Sequence, residues 1–548
     1  MQAPAGHERA RCAGFHLDPD NKDGENVDTK EDRTKLEMFG QIIGGEHGKI
    51  LVRQKSDQVI ELGDLLVGEA GGWKALMQVY NLMYGSQIDD KTLQMMSGMQ
   101  LEGIAGRAEF MEKNLRSYVM AEVKVLVLFP PGGGAPKTPK VLPTFFSSVS
   151  LVKKEDLSFI TKPECPIFLG KVRSGSKVLD VDVHLNGIDM FTHHVLIPAT
   201  TGRGKSNLVK CMLWSMVGRH EIGALILDPH DEYFGRNGPG LKDHPKASDG
   251  VVYYSPDPPK GGLSLRINLS LVHPGYMSGI VNMTDAQREA VWTLYNRYGD
   301  KWIEKLYTVM DDEKAQELRV NIATVMVLQR RFTLLFNLKV MEGGIYSKND
   351  VFTTKGGENF IADVMKHLEA GRKVIIDTSR MDHSAELLVG SMVASQLYYN
   401  YKEYKSEDKL KNAPVITFVI EEAPRVLGGE EQTIFGTLAR EGRKFKIGIT
   451  AITQLCSLIK REILANLNTK IILGNEMEEE RRAIIASASQ DLSADYKLLG
   501  ALDKGEALVS SVFTKFAIPI QIPLFDDIVA KEGKRKDGPK EKVKLVGL

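Results

Sequence analysis

The sequence predicts an α/β protein in two parts: a large C-terminal domain built on a parallel sheet, and a smaller β-rich N-terminal domain interrupted by helix. Three observations lead there. From about residue 190, short fully apolar runs alternate with helical stretches, the pattern of βαβ units. One of those runs, His194-Val-Leu-Ile-Pro198, leads into Ala199-Thr-Thr-Gly-Arg-Gly-Lys-Ser206 and then into a helical segment, Asn207 to Val217. Before residue 186, short strand-like segments separated by Gly and Pro turns dominate instead.

Taken in order, residues 1–36 are polar and charged, and bury too little to repay the entropy of ordering. They read as a disordered tail, or equally as the product of a misplaced start codon, since Met38 opens the first folded-looking stretch. Residues 37–185 form the β-rich domain. Its strand signals lie at Gln41-Ile-Ile, Lys49 to Arg53, Val59 to Val67, Met120 to Phe129, and near 142–149, 166–172 and 177–184. Within it, Leu76, Val79, Leu82 and Met83 recur at helical spacing, followed by Leu93, Met96 and Met99, so 70–117 reads as a helical insert.

Residues 186–525 form the sheet domain. Its apolar strands start at Val195, Ala224, Val251, Val374, Val415, Ile447, Lys470 and Ala507, and a helical subdomain spans 282–345. Residues 526–548 read as a basic tail.

Composition excludes several classes. The 548 residues hold 71 basic and 71 acidic side chains, so no global positive field points to nucleic acid. A local stripe or an assembled channel remains open. The four cysteines, Cys12, Cys165, Cys211 and Cys456, form no CxxC pair, which argues against a zinc site or disulfide framework and fits a reducing cytoplasm. No apolar run is long enough to span a bilayer, so no membrane association is expected.

The loop before Asn207 carries the chemistry. Gly202 and Gly204 let successive N–H groups turn inward toward phosphate oxygens, and the start of the next helix adds its positive end. Lys205 supplies charge to the β- and γ-phosphates, and the Ser206 hydroxyl ligates magnesium. Strand, loop and helix in that order imply ATP and Mg2+ as cofactors. Ala199 stands where the pattern has its first Gly, which matters little if its backbone lies in an ordinary region.

Hydrolysis also needs carboxylates. Two strands end in acids: Ala224-Leu-Ile-Leu-Asp228 and Val415 to Ile420 followed by Glu421-Glu422. The second fits better, because ligands of open α/β sheets bind at strand C-termini and this strand delivers two adjacent acids. Glu421 would hold magnesium through water, and Glu422 would polarise the attacking water. Asp228 suits the strand beside the phosphate loop, with a metal role and a role capping the loop to Tyr233 equally open. Gln454, ending the strand from Ile447, is the candidate γ-phosphate sensor. Arg443 is either an arginine finger toward a neighbouring subunit or, with Arg440, Lys444 and Lys446, part of a solvated basic helix end.

This ordered set resembles the HerA branch of the HerA/FtsK superfamily. It is carried by Ala199 to Asn207, Asp228-Pro-His-Asp-Glu-Tyr233, Val419-Ile-Glu-Glu-Ala423, Arg440 to Phe445 and Thr453-Gln454. The resemblance implies a RecA-like P-loop ATPase core behind an N-terminal HAS barrel, with Leu169 to Ser174 just ahead of the core. It further implies a hexameric ring that translocates double-stranded DNA, with a NurA-like nuclease as partner in end resection. Nucleotide contacts then fall on Thr201, Gly202, Arg203, Gly204, Lys205, Ser206 and Asn207. Asp228 and Glu422 serve hydrolysis, Arg443 acts in trans and Gln454 senses phosphate. His193, where the family has a basic residue before the loop strand, and Lys515 complete the candidate nucleotide contacts. The family's acidic strand usually ends Asp-Glu, whereas this one ends Glu421-Glu422.

Two other uses of the same motifs are a nucleotide-gated ring scaffold of a nuclease or defence complex, and a conjugative-type DNA pump. Basic side chains for a DNA channel could come from Arg288, Arg297, Lys301, Lys305, Arg330 and Arg331, or from the lysine-rich tail.

Overall fold

The computed structural model describes residues 38–103, 117–130, 135–341, 344–429 and 433–532. The expected N-terminal tail, Cys12, residues 104–116 of the helical insert and the lysines beyond 532 lie outside the described residues.

Six strands close a barrel in the order β1-β2-β5-β4-β3-β6. They are β1 (Gly40–Glu46), β2 (Lys49–Gln54), β3 (Leu65–Ala70), β4 (Trp73–Ser86), β5 (Ser117–Phe129) and β6 (Ser148–Leu151). Ile42, Val52, Leu66, Met77, Val79, Val123 and Val149 fill it. The helical reading of 70–117 is corrected here: β4 occupies most of its first third, and the described helix is confined to Asp90–Leu101. Register shifts at Leu76/Met77 and Val79/Asn81 are the cause. Each bulge resets which residues face inward, so an alternating strand imitates helical spacing.

The second sheet has twelve strands in the order β12-β11-β17-β10-β18-β19-β9-β20-β21-β22-β7-β8. They include β7 (Pro166–Ser174), β8 (Lys177–Asn186), β9 (Val195–Pro198), β10 (Ile222–Asp228), β11 (Val251–Ser255) and β12 (Leu263–Ser264). After the small pairings β13 (Ile267–Asn268) with β16 (Phe352–Thr353) and β14 (Leu338–Met341) with β15 (Gly344–Ser347) come six more strands. These are β17 (Lys373–Asp377), β18 (Val415–Ile420), β19 (Ile447–Thr453), β20 (Thr469–Leu473), β21 (Glu506–Ser511) and β22 (Ile518–Gln521). From β12 to β20 neighbours run parallel, and from β20 to β8 antiparallel.

Strands β9, β10, β17, β18, β19 and β20 are buried along their whole length, as expected of a parallel sheet covered on both faces. Alternate side chains feed two cores. Leu225 and Leu227 join Val325, Leu328 and Phe332 of the 282–345 block and Leu388 and Val393 of the helix His383–Ser406. Ala224 and Ile226 join Leu208, Val209, Met212 and Trp214 of the helix Lys205–Met216. The helical block therefore packs on one face of the sheet and shares its core.

Two boundaries move. Strands β7 and β8 extend the large sheet instead of completing the barrel, because β7 pairs with β22. Residues 526–532, expected within a tail, belong to the helix Phe525–Glu532, whose Phe525 ring packs on Trp214. The barrel sits on the antiparallel end of the sheet, tied by Lys124–Asp495 at 2.5 Å and by Ser174 accepting from the Leu65 amide. No helix among the described residues is long and apolar enough to cross a membrane.

Candidate functional site

Strand β9 lies between β19 and β20, and the loop that follows it opens a cavity of about 610 Å³. Gly202 and Gly204 take left-handed backbone angles (φ 79° and 103°) that a side chain would strain. Ala199 is not among the left-handed residues, so alanine serves there without cost. Its amide donates to Thr453 O at 3.1 Å, anchoring the loop's entry to β19.

Lys205 opens the helix Lys205–Met216, whose first turn carries no acid to repel phosphate. Its ammonium donates to the carbonyls of Ala199 and Thr200 at 3.0 and 3.1 Å, folding back over the loop. Burial lowers its pKa, and Glu421 pulls it back up. Ser206 lines the same cavity.

The two acids after β18 face this loop but differ in setting. Glu421 is half-buried and accepts a hydrogen bond from the Tyr233 hydroxyl at 2.5 Å. Burial raises its pKa, opposed by the Tyr233 hydrogen bond and the Lys205 charge. Glu422 is 55% exposed, holds a left-handed backbone (φ 47°) and pairs with Arg425. A non-glycine residue held in that region at a ligand cavity is strain of the kind found at functional sites. Gln454 accepts from the Thr201 hydroxyl at 2.7 Å, joining the end of β19 to the loop.

No group of three or more His, Cys, Asp or Glu among the described residues could hold a metal alone. The donor set of one hydroxyl and one carboxylate instead fits a hard divalent cation that completes its shell with phosphate oxygens and water, as Mg2+ does.

Residues 167–397 match the family described as helicase HerA, central domain. The central part of the chain is thus similar to that of the HerA family. A protein of Sulfurisphaera tokodaii named DNA double-strand break repair helicase HerA is 25% identical over 90% of this chain and 94% of its own length. Its namesake in Saccharolobus solfataricus is 24% identical, covering 86% and 89%. Among solved structures, the bacterial conjugative coupling protein TrwB aligns at 13% identity and a TM-score of 0.45, covering 71% of this chain and 95% of its own. VirB4 of Thermoanaerobacter pseudethanolicus aligns at 18% and 0.42, covering 66% and 97%.

The structure brings Thr201, Gly202, Gly204, Lys205, Ser206, Glu421, Glu422 and Gln454 to one cavity. Other predicted residues stand differently. Asp228 is fully buried, and its two carboxylate oxygens accept the amides of Glu232 and Tyr233 at 3.0 and 2.9 Å. Burial pushes its pKa up to about 7. Of its two expected roles, the capping one is realised. Nor does β10 lie beside β9: strands β18 and β19, later in the chain, occupy the intervening places. Asn207 borders the cavity but spends its amide on Pro523 O and the Phe525 amide, clamping the C-terminal segment. Arg203 turns away to Glu476 and Leu502 O.

His193, Arg443 and Lys515 lie at the other edge of the sheet. His193 precedes the N-terminal end of β9, and its ring meets Phe513 edge-on at 4.9 Å. Arg443 sits in the turn before the N-terminal end of β19, and both it and His193 act on buried His194. Lys515 follows β21, near Trp73 and Lys137 of the barrel. The length of a strand, at about 3.3 Å per residue, separates this edge from the phosphate loop.

Among the cavity residues that sequence reasoning missed are Lys504, Arg425, and the pair His383 and Glu386, which approach to 3.3 Å. Arg425, three residues past Glu422, was discoverable from helical spacing. His383 and Lys504 carry no local signal, since only the fold of β17 and β21 brings them there.

Proposed function

We propose that this chain is an ATP-driven translocase or helicase of double-stranded DNA that works as a hexameric ring. A NurA-like nuclease is its partner in DNA end processing. The reading is carried by the convergence of Lys205, Ser206, Glu421, Glu422 and Gln454 on one cavity. The names of the HerA relatives support the DNA-repair context.

In this reading Lys205 exchanges its two loop carbonyls for phosphate oxygens. Ser206 and Glu421 would hold Mg2+, which when bound would neutralise charge on the phosphates. Glu422 leaves Arg425 to orient and polarise the attacking water. Gln454, tied to Thr201, reports whether the terminal phosphate is present. His193, Arg443 and Lys515 sit too far from their own subunit's loop, and serve the cavity of a neighbour in the ring. Cys165, Cys211 and Cys456 are free and buried, consistent with a reducing cytoplasmic setting.

Of the six basic residues expected to serve DNA, Arg297 pairs with Glu317, Arg288 with Asp285, and Arg331 binds Asn282 O. Lys301, Lys305 and Arg330 are the remaining candidates for phosphate contacts in the ring's channel. The test is ATPase activity with and without double-stranded DNA across a salt series. DNA should stimulate hydrolysis, salt should weaken the effect, and Lys205→Ala should abolish it. Hydrolysis indifferent to DNA at every salt concentration would refute the translocase reading.

A further inference from the structure

We propose that Tyr233 is a positioning residue that holds Glu421 in register with the phosphate loop, and that Asp228 acts through it. This rests on reading Glu421 as a member of the metal shell.

The observations form a chain of contacts from β10 to β18. Asp228 closes β10 and accepts the Tyr233 amide at 2.9 Å, which fixes the backbone of the turn Pro229–Glu232. Tyr233 is 2% exposed, and its ring packs among the apolar side chains beneath the helix Lys205–Met216. A phenylalanine would suit that core as well. A hydroxyl buried there is costly unless it is hydrogen-bonded, and its partner is Glu421 Oε1, 188 residues away in the chain. With Oε1 held, Oε2 is the oxygen left for a ligand in the cavity. His230 and Glu232, from the turn that Asp228 fixes, line that same cavity. The phenol thus makes the position of the turn and the position of the carboxylate one variable. Partners that orient a metal-binding carboxylate in this way commonly cost 10–100-fold in metal affinity when removed.

The experiment uses the full chain with a non-hydrolysable ATP analogue and Mn2+ as the probe, reading free Mn2+ by electron paramagnetic resonance. Tyr233→Phe should weaken Mn2+ binding about tenfold, while metal-free binding of the analogue stays unchanged. In a Glu421→Gln background the same change should add less than about twofold, because the two residues act as a unit. If Glu421→Gln weakens Mn2+ but Tyr233→Phe does not, or if the two losses add, the positioning role is overturned and the metal role of Glu421 stands. If Glu421→Gln leaves Mn2+ binding intact, the metal reading itself fails. Should Tyr233→Phe not fold, Glu421→Asp tests the link from the other side. Its shorter carboxylate keeps the charge but cannot reach both phenol and cavity, and wild-type Mn2+ affinity in that variant overturns the proposal.

Discussion

Glu422 and His194 show how single side chains take their roles from opposite surroundings. Glu422 stands exposed at the cavity with its charge matched by Arg425. Replacing it by glutamine should leave nucleotide binding intact and lower hydrolysis by roughly 10²–10⁴-fold, the usual loss for a positioned base. Single-turnover kinetics beside a nucleotide-binding titration would check this. His194, by contrast, is buried, takes a left-handed backbone (φ 61°), and accepts the Ile449 amide on Nδ1 at 3.1 Å. Burial, with His193 and Arg443 adding repulsion, depresses its pKa to about 4, whereas an unfolded histidine titrates near 6.5. Between those values only the unfolded chain binds the proton. The folded state therefore loses stability as pH falls from 6.5 toward 4, by up to about 3 kcal/mol. His194→Gln should flatten that part of the profile, as denaturant titrations at a series of pH values would show.

At the scale of elements, buried lysines fasten strands to their neighbours. Lys373, fully buried at the start of β17, donates to the carbonyls of Arg219, Ile222 and Gly371 at 2.7–2.8 Å. Lys470 does the same on β20 with Leu464, Leu467 and Ser487. Lys373→Met would keep the stem and strand all three carbonyls. A loss on the order of 3 kcal/mol is expected, read as a lower urea midpoint at constant slope. Element identity was legible wherever burial was two-sided. All eight apolar runs from Val195 to Ala507 are strands, seven in the parallel part of the sheet and β21 antiparallel beside it, because strands covered on both faces are apolar throughout. In β4 the bulges break the alternation, and a local reading could not distinguish its spacing from that of a helix.

For the whole molecule, the separation of Lys205 from Arg443 by a strand length makes a prediction about assembly. Lys205→Ala and Arg443→Ala should each be inactive alone. Mixed under conditions that exchange subunits, they should regain activity, since about a quarter of interfaces then pair an intact loop with an intact arginine. ATPase assays of the mixture would show it, and complete silence would remove the trans role. The mass in solution with ATP and DNA should be that of six chains.

The sequence by itself showed the loop motif, the acidic pair and the sheet class. Those depend on residue types at short spacing: glycines that permit φ above zero, a lysine and serine at a helix start, acids at the end of an apolar run. Only the tertiary structure decided which acids meet the loop. Strand order is set by crossovers over hundreds of residues, so it put β18 and β19 between β9 and β10. In that order Asp228 lies two strands removed from the loop's strand with its carboxylate on the amides of Glu232 and Tyr233, and His193, Arg443 and Lys515 lie at the far edge of the sheet. Proximity along the chain does not fix proximity across a sheet, because each strand's place depends on which other strands it pairs with.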